Sequence, residues 1–347
     1  MKLKSKINRW FYLMAVAFLL LGCGNKKHTE AISQDVFAMD TYMTVSAYGK
    51  NAKKAVEAAC NRILELDGKL SIGKADSEIA KLNTEKNVQV SKETCDLIKE
   101  AVFLSKETGM AFEPTILPLM ELWGFTTQNY RVPEESEIKE ALACVDVSSV
   151  TMDETNHQVS LGSHGQRIDL GGIAKGYTSS EVMKIFKEQG VQNGIVSLGG
   201  NVQALGTKPD GSLWRVAIQH PLKEQEYLGT VNVADKAVIT SGGYERYFEQ
   251  DGKIYHHILD PSTGYPSASD LISVTIVSAD GTLADGLSTA LFVMGYDRAA
   301  DYWHNHRDQF DMILFTQDGN LYVTEGLRDN FSSELTFTII DESVKSR

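Results

Sequence analysis

The sequence predicts an α+β fold, and three observations carry that prediction. Stretches with apolar residues at helical spacing gather in the first half of the chain, short strand-like runs fill the second half, and the two kinds do not alternate in the strand-helix-strand order of a doubly wound sheet. The chain has 347 residues, 42% hydrophobic and 23% charged with 7 Pro, enough for one large or two modest domains. No repeat at a solenoid period and no break in composition divides it, so one folded body is expected over residues 35–341.

Taken in order, Val36 to Gly49 is rich in Thr, Tyr and Val with partial alternation and reads as one strand entering the core. Ala52 to Leu66 and Lys92 to Glu107 have helical spacing, the second ended by Gly109, and Glu134 to Ala143 reads as a third helix with Pro133 near its start. Glu113 to Leu119 is a proline-punctuated loop leading into Trp123-Gly124-Phe125, and Val147 to Ile168 reads as short strands and turns. Thr178 to Gln189 looks helical, and Gly194 to Leu205 reads as a buried strand interrupted by Gly199-Gly200. Strands are expected at Trp214 to Gln219, Leu228 to Val233, Ala237 to Thr240, Ile272 to Ser278, Met312 to Phe315 and Leu321 to Thr324. Ala284 to Met294 is the clearest late helix.

The first residues read as an address. Lys2, Lys4, Lys6 and Arg9 precede the apolar run Trp10 to Leu21, which is short for a bilayer span and has the form of a secretory signal over residues 1–22. Leu20-Leu21-Gly22-Cys23 resembles a bacterial lipobox, which would make Cys23 the lipidated first residue of an exported protein held at the membrane; an uncleaved anchor is the alternative. Polar residues to Gln34 would then be a tether over 23–34. Beyond residue 22 there are 30 basic and 46 acidic residues, a balance that argues against nucleic acid as a partner. Cys60, Cys95 and Cys144 are an odd number without close spacing, so neither a disulfide framework nor a zinc site is implied; Cys60 and Cys95 fall on apolar helix positions and are expected to be buried.

Three segments have the residue types for chemistry. Asp169-Leu170-Gly171-Gly172-Ile173-Ala174-Lys175-Gly176-Tyr177 places glycines between a strand and a helix, where backbone can approach a phosphate and a helix N-terminus adds positive potential. Its spacing is neither that of a dinucleotide fingerprint nor of a Walker loop, and a purely structural turn fits it as well. Asp285 and Thr289 lie four residues apart, so on a helix both oxygens share a face suited to a hard cation; Asp285 as a helix cap is the alternative. His256-His257-Ile258-Leu259-Asp260-Pro261 offers an imidazole as proton acceptor, and on a strand the two His face opposite ways, so at most one enters a given site. A structural role is open to either.

These segments, in this order, closely resemble the ApbE family of FAD:protein FMN transferases. The resemblance runs from Met39 through Asp76-Ser77-Glu78-Ile79, Phe112-Glu113-Pro114-Thr115, Trp123-Gly124-Phe125, the glycine turn, Ser197-Leu198-Gly199-Gly200-Asn201 and His257 to Gly264, and ends at Asp285 to Thr289. It implies a T-fold-like arrangement of mainly antiparallel sheets with flanking helices, a single flavin transferase domain, FAD as substrate and Mg2+ as cofactor. It also implies Mg2+ ligands at the Ala174 carbonyl, Asp285 and Thr289, with Ser288 helping indirectly. Flavin contacts are implied at Met39, Ala111, Phe112, Glu113, Asp169, Gly171, Lys175, Tyr177 and Leu259, and the base for the acceptor hydroxyl at His257. The acceptor would be a Thr or Ser of another protein, in the family usually a membrane electron-transfer subunit of the ion-pumping NADH:quinone or ferredoxin-linked complexes. An FAD pyrophosphatase and a non-catalytic FAD-binding lipoprotein are the rival readings. The chain departs from the family at Gly73, where a Tyr is common, at Glu113, where Asp is common, and at Asp40, where Gly is common.

Overall fold

A nine-stranded sheet organises the computed structural model, which describes residues 30–162, 165–223 and 225–341. The signal, Cys23 and most of the tether lie outside the described residues. Hairpin β1 (Ile32–Ala38) and β2 (Thr41–Ala47) leads to helices α1 (Ala52–Leu70) and α2 (Glu78–Glu85), strand β3 (Asn87–Gln89), and helices α3 (Lys92–Glu107), α4 (Leu117–Leu122) and α5 (Glu135–Leu142). Strands β4 (Thr151–Asp153) and β5 (Gln158–Ser160) pair beside β3, and α6 (Ala174–Glu188) follows. The strand-rich half contains β6 (Gly194–Leu198), β7 (Asn201–Leu205), β8 (Trp214–Gln219), β9 (Tyr227–Val233), β10 (Ala237–Gly242), β11 (Tyr247–Gln250), β12 (Lys253–His256) and β13 (Leu271–Ser278). Helices α7 (Gly281–Met294) and α8 (Tyr296–His306) precede β14 (Phe310–Thr316), β15 (Leu321–Thr324), β16 (Phe331–Ser332) and β17 (Phe337–Ile340).

The large sheet runs β1-β2-β6-β7-β10-β13-β14-β15-β17. Among the described strand pairs, β15 with β17 is parallel and the others are antiparallel, as expected of an α+β protein. Alternation along β10 sorts its side chains between the faces: Ala237 and Ile239 join the core shared with α3, α7 and α8, whereas Val238 meets Trp214, Val216 and Val231 of the small sheet β16-β9-β8. The sheet is thus covered by helices on one face and by strands on the other. Burying a large apolar side chain contributes about 1.5–3 kcal/mol. Phe186 of α6, with Leu287 and Leu291 of α7, is therefore enough to seat those helices firmly, and they carry the candidate site.

Several elements differ from the sequence expectation, each for a local reason. The strand expected over Val36 to Gly49 is the β1–β2 hairpin, because Met39 and Asp40 both adopt positive φ (49° and 58°) in a two-residue turn with no glycine to announce it. Strand β1 begins at Ile32, inside the stretch expected to be tether. Helix α4 occupies the supposed proline loop, with Pro118 in its first turn, where a missing N–H costs nothing. Helix α6 starts at Ala174, four residues before the expected Thr178, so the glycine turn runs into its first turn. Helix α7 starts at Gly281, and its cap is Asp280, whose Oδ1 accepts the N–H groups of Thr282 (2.8 Å) and Leu283 (3.2 Å). Asp285 is therefore not the cap. Helices α2 and α8 and the hairpin β11–β12 were not expected, while Cys60 and Cys95 are buried as expected.

The Asp280 cap has a neighbour with a stability consequence. Burial, followed by the charge of Asp280, pushes the Glu100 carboxyl on α3 up to about 7. A raised folded-state value means that its share of stability is complete below the ordinary 4.5 and is lost as pH rises through about 7. Glu100→Gln removes the ionisation. We expect urea titrations to find the variant more stable than the parent at pH 8 by about 1–2 kcal/mol, discounted for partial solvent access, with the gap closing below 4.5.

Candidate active site

Two helix N-terminal turns cross at Asp285. Gly176, in the first turn of α6, donates its N–H to Asp285 Oδ2 at 2.8 Å. A methyl group on Gly176 would overlap the Gly281 carbonyl and lie 2.5 Å from Asp285 Cβ, so only glycine lets α6 and α7 approach this closely. The other carboxylate oxygen, Oδ1, accepts from Nδ2 of buried Asn201 at 2.9 Å. Burial raises the Asp285 carboxyl, while the Lys175 charge and these two donors hold it down. One turn along α7, Thr289 Oγ1 is 3.3 Å from Ser241 Oγ on β10, and Ser241 also meets Ser288 Oγ at 2.7 Å. Ser288 in turn donates to the Asp285 carbonyl at 2.7 Å.

The glycine turn wraps the other side. Gly171 N–H donates to Asp169 Oδ1 at 2.8 Å, and the Asp169 carboxyl is raised by burial against the opposing pull of that N–H and the Arg246 charge. Gly172 stands between Phe112 and Thr289: a Cβ there would come within 3.1 Å of the Phe112 ring and 3.7 Å of Thr289 Oγ1. The Ala174 carbonyl, at the start of α6, accepts from Thr178 Oγ1 at 2.7 Å in addition to its helical N–H partner, so both of its lone pairs are engaged. Thr178 Oγ1 also lies 3.8 Å from Met39 Sδ, which brings the β1–β2 turn to this same helix end. Met39 N–H is tied to Asp67 Oδ1 at 3.1 Å, and Lys74 holds Asp67 Oδ2 at 2.6 Å.

His257 follows directly on β12. Its backbone N–H and its Nδ1 both reach the Arg246 carbonyl, at 3.0 and 3.1 Å. A carbonyl only accepts, so the proton is on Nδ1 and the neutral ring leaves Nε2 bare. Burial first, then the Arg246 charge, pushes this imidazole down to about 3, which keeps it neutral at ordinary pH. His256 goes elsewhere, with Nε2 at 3.2 Å from the Ser267 carbonyl and its ring edge against Phe292. The two histidines thus part company as the strand alternation requires.

Some residues implied by the family resemblance have their side chains committed elsewhere. The Glu113 carboxylate turns inward, accepting from Thr115 N–H (2.9 Å), Thr115 Oγ1 (2.7 Å) and Ser105 Oγ (3.4 Å), so its side chain is committed to folding the loop. Leu259 is buried in the cluster of Trp123, Phe125 and Ile138. The Tyr177 phenol is raised to about 12 by burial and then by the charges of Glu181 and Glu93, and its ring packs against the core that includes Phe112 and Ile173. Ala111 and Phe112 are buried, with Phe112 against Gly172.

The structure also adds residues to which the sequence reading gave no role. Glu245 and Arg246, after the Gly242-Gly243 pair at the end of β10, act electrostatically on the same groups: Glu245 feels Lys175 and Asp285, and Arg246 feels Asp169 and His257. The glycine pair was the available signal, since a Cβ on Gly243 would meet the His256 ring at 2.9 Å. Asn201 ends the Ser197-Leu198-Gly199-Gly200-Asn201 motif, and nothing in the sequence pairs it with Asp285.

Among the described residues, no group of three or more His, Cys, Asp or Glu is placed to hold a metal. A single carboxylate and a hydroxyl on α7 fit a hard cation that brings water and substrate oxygens with it, and they do not fit zinc or a soft metal. The glycine turn at the start of α6, Lys175, the buried Asp285 and Asp169 carboxyls and a neutral imidazole thus gather at one place in an α+β protein. Comparison with known sequences narrows this further: the family model described as ApbE family matches residues 39–314, and the chain belongs to the ApbE family. It is 34% identical to the FAD:protein FMN transferase of Klebsiella pneumoniae (strain 342), covering 80% of this chain and 88% of that protein. A protein of the same name from Treponema pallidum (strain Nichols) is 33% identical over 80% of this chain and 82% of its own. The ApbE protein crystal structure from Thermotoga maritima superposes with a TM-score of 0.81 at 34% identity, covering 86% of this chain and 98% of that one. The flavin transferase ApbE from Vibrio cholerae does so at 0.78 and 28%, covering 87% and 99%.

Proposed function

We propose that this chain transfers the FMN half of FAD to a Ser or Thr hydroxyl of another protein, releasing AMP, with a divalent cation such as Mg2+ held at Asp285 and Thr289. The observation that carries this reading is the buried Asp285 carboxylate at the crossing of two helix N-termini, beside Lys175. The names of the relatives in Klebsiella and Treponema support it. A bound cation supplies neutralisation of pyrophosphate charge. The chain's own groups do the rest. Lys175 and the N–H groups of the glycine turn orient the phosphates, and Asp285 and Thr289 present hard oxygens. His257 Nε2 takes the proton of the acceptor hydroxyl as its oxygen bonds to the FMN phosphorus, and the bond from that phosphorus to the AMP oxygen breaks. In this reading Met39 and Phe112, which both approach the start of α6, receive the flavin ring.

The test incubates the purified full-length chain with FAD, Mg2+ and a candidate acceptor domain. A denaturing gel is then viewed under ultraviolet light, and AMP is quantified. A fluorescent acceptor band with matching AMP, both lost with a chelator, is the expected outcome. Free FMN and AMP without any labelled acceptor mean hydrolysis instead, and intact bound FAD means a carrier. The signal and lipobox extend the proposal to an exported enzyme anchored through Cys23, acting on exported electron-transfer subunits. Among the described residues no helix is long and apolar enough to cross a membrane. Fractionation tests the anchor: the chain should follow the membranes, and Cys23→Ala should release it to the soluble fraction or leave it unprocessed.

A further inference from the structure

The hydrogen bonds around Asp285 come from two directions, and the one from the sheet has no counterpart in the ligand set proposed above. Strand β7 presents Asn201 and Gln203, two residues apart and so on one face, to the N-terminal turns of α6 and α7. Both side chains are buried. Gln203 Oε1 accepts from Ser179 Oγ at 2.5 Å, and Ser179 Oγ lies 2.9 Å from the Gly176 carbonyl, so Gln203 braces α6. Asn201 reaches instead to α7, where its Nδ2 holds Asp285 Oδ1 at 2.9 Å.

A carboxylate on a helix rotates about two side-chain bonds, and a single donor leaves that rotation loosely defined. Here Gly176 N–H fixes one oxygen and Asn201 the other, so the plane of the carboxylate is set and the unused lone pairs have fixed directions. Asn201 opens β7 directly after the Gly199-Gly200 turn, in which both glycines have positive φ (58° and 97°), and the hairpin with β6 fixes its position. The donor is therefore set by the sheet, independently of the two helices that cross at the site.

We propose that Asn201 is a positioning residue for the transfer reaction, orienting the Asp285 carboxylate so that its free lone pairs face the cation and the FAD pyrophosphate. This rests on the reading of Asp285 as a cation ligand. In this role Asn201 acts through Asp285 and is not itself a ligand. Its loss leaves Asp285 in place but free to turn, which weakens the cation without removing its ligand.

The experiment uses the full-length chain, Asn201→Ala, and Asp285→Ala as the control. Three quantities are measured: the Mg2+ concentration giving half-maximal FMN transfer, binding of Mn2+ alone followed by electron paramagnetic resonance, and the melting temperature in chelator. For Asn201→Ala we expect the half-saturating Mg2+ to rise roughly tenfold to a hundredfold, a parallel loss of Mn2+ affinity, and transfer recovered at high Mg2+. Asn201→Ser, which keeps a donor of shorter reach, should fall between Asn201→Ala and the parent, and it serves as the test variant if Asn201→Ala does not fold. An unchanged half-saturating Mg2+ overturns the proposal, and a fall in melting temperature alongside it would assign Asn201 to the fold alone. If Asp285→Ala itself keeps the parental Mg2+ dependence, the underlying cation reading fails rather than the inference about Asn201.

Discussion

Asp285→Ala is expected to reduce FMN transfer by at least on the order of a thousandfold, because it removes the only carboxylate on the buried α7 face that meets the glycine turn. The loss should not be recovered at any Mg2+ concentration, which separates the removal of a ligand from its misorientation. The variant also strands two donors, the Gly176 N–H and the Asn201 amide, and each buried unpaired group costs about 1–3 kcal/mol. Asp285→Asn keeps the shape, a flip of the Asn201 amide restores its hydrogen bond, and this is the variant in which chemistry and folding separate. We expect it to melt close to the parent and to remain inactive. FAD-dependent AMP release at the parental rate in Asp285→Asn would sink the cation assignment.

His257→Ala should slow transfer by roughly a hundredfold, the lower end for a lost general base because a ring held down to about 3 is a weak proton acceptor, while FAD binding persists. The geometry separates the two roles: Asp285 belongs to the crossing of α6 and α7, and His257 hangs from the β11–β12 hairpin through the Arg246 carbonyl. Titration of FAD fluorescence measures the binding, and AMP release with labelled acceptor measures the rate. Equal loss of FAD binding in both variants would argue against separate roles. The pH dependence gives a second check with a definite sign. His257 is pushed down to about 3, so the neutral ring persists as pH falls from 7 through 5, and the acid limb of kcat/KM should not centre on the ordinary imidazole value of 6.5. In stability terms its depressed value means that protonation opposes folding, a cost that sets in as pH falls from 6.5 toward 3. An acid limb near 6.5 that vanishes in His257→Ala would show that the ring is not held neutral in the way described.

The sequence by itself determined the elements whose signal is periodic and long. Helices α1, α3 and α7 follow from apolar spacing over several turns, and their buried faces, including Ile63, Ile98 and Leu287, are the ones that spacing selects. The order of the motifs determined the family, and the helical spacing of Asp285 and Thr289 placed both on one element. What lay within a turn or two was less legible. Met39-Asp40 forms a tight turn although Met is a poor fit for positive φ, and β11 and β12 are four-residue strands that depend on the packing of Phe248 and Tyr255 around Trp123. Helix α6 begins early because Gly176 fits against the Gly281 carbonyl, a residue more than a hundred positions away. Tertiary structure alone decided which polar groups face each other: Glu113 turning to Thr115, Arg246 holding His257, and Asn201 holding Asp285 across 84 positions of sequence. Local spacing fixes which face a side chain takes, but the partner on that face is chosen by packing elements that are remote in the chain, and the orientation of a catalytic carboxylate depends on that choice.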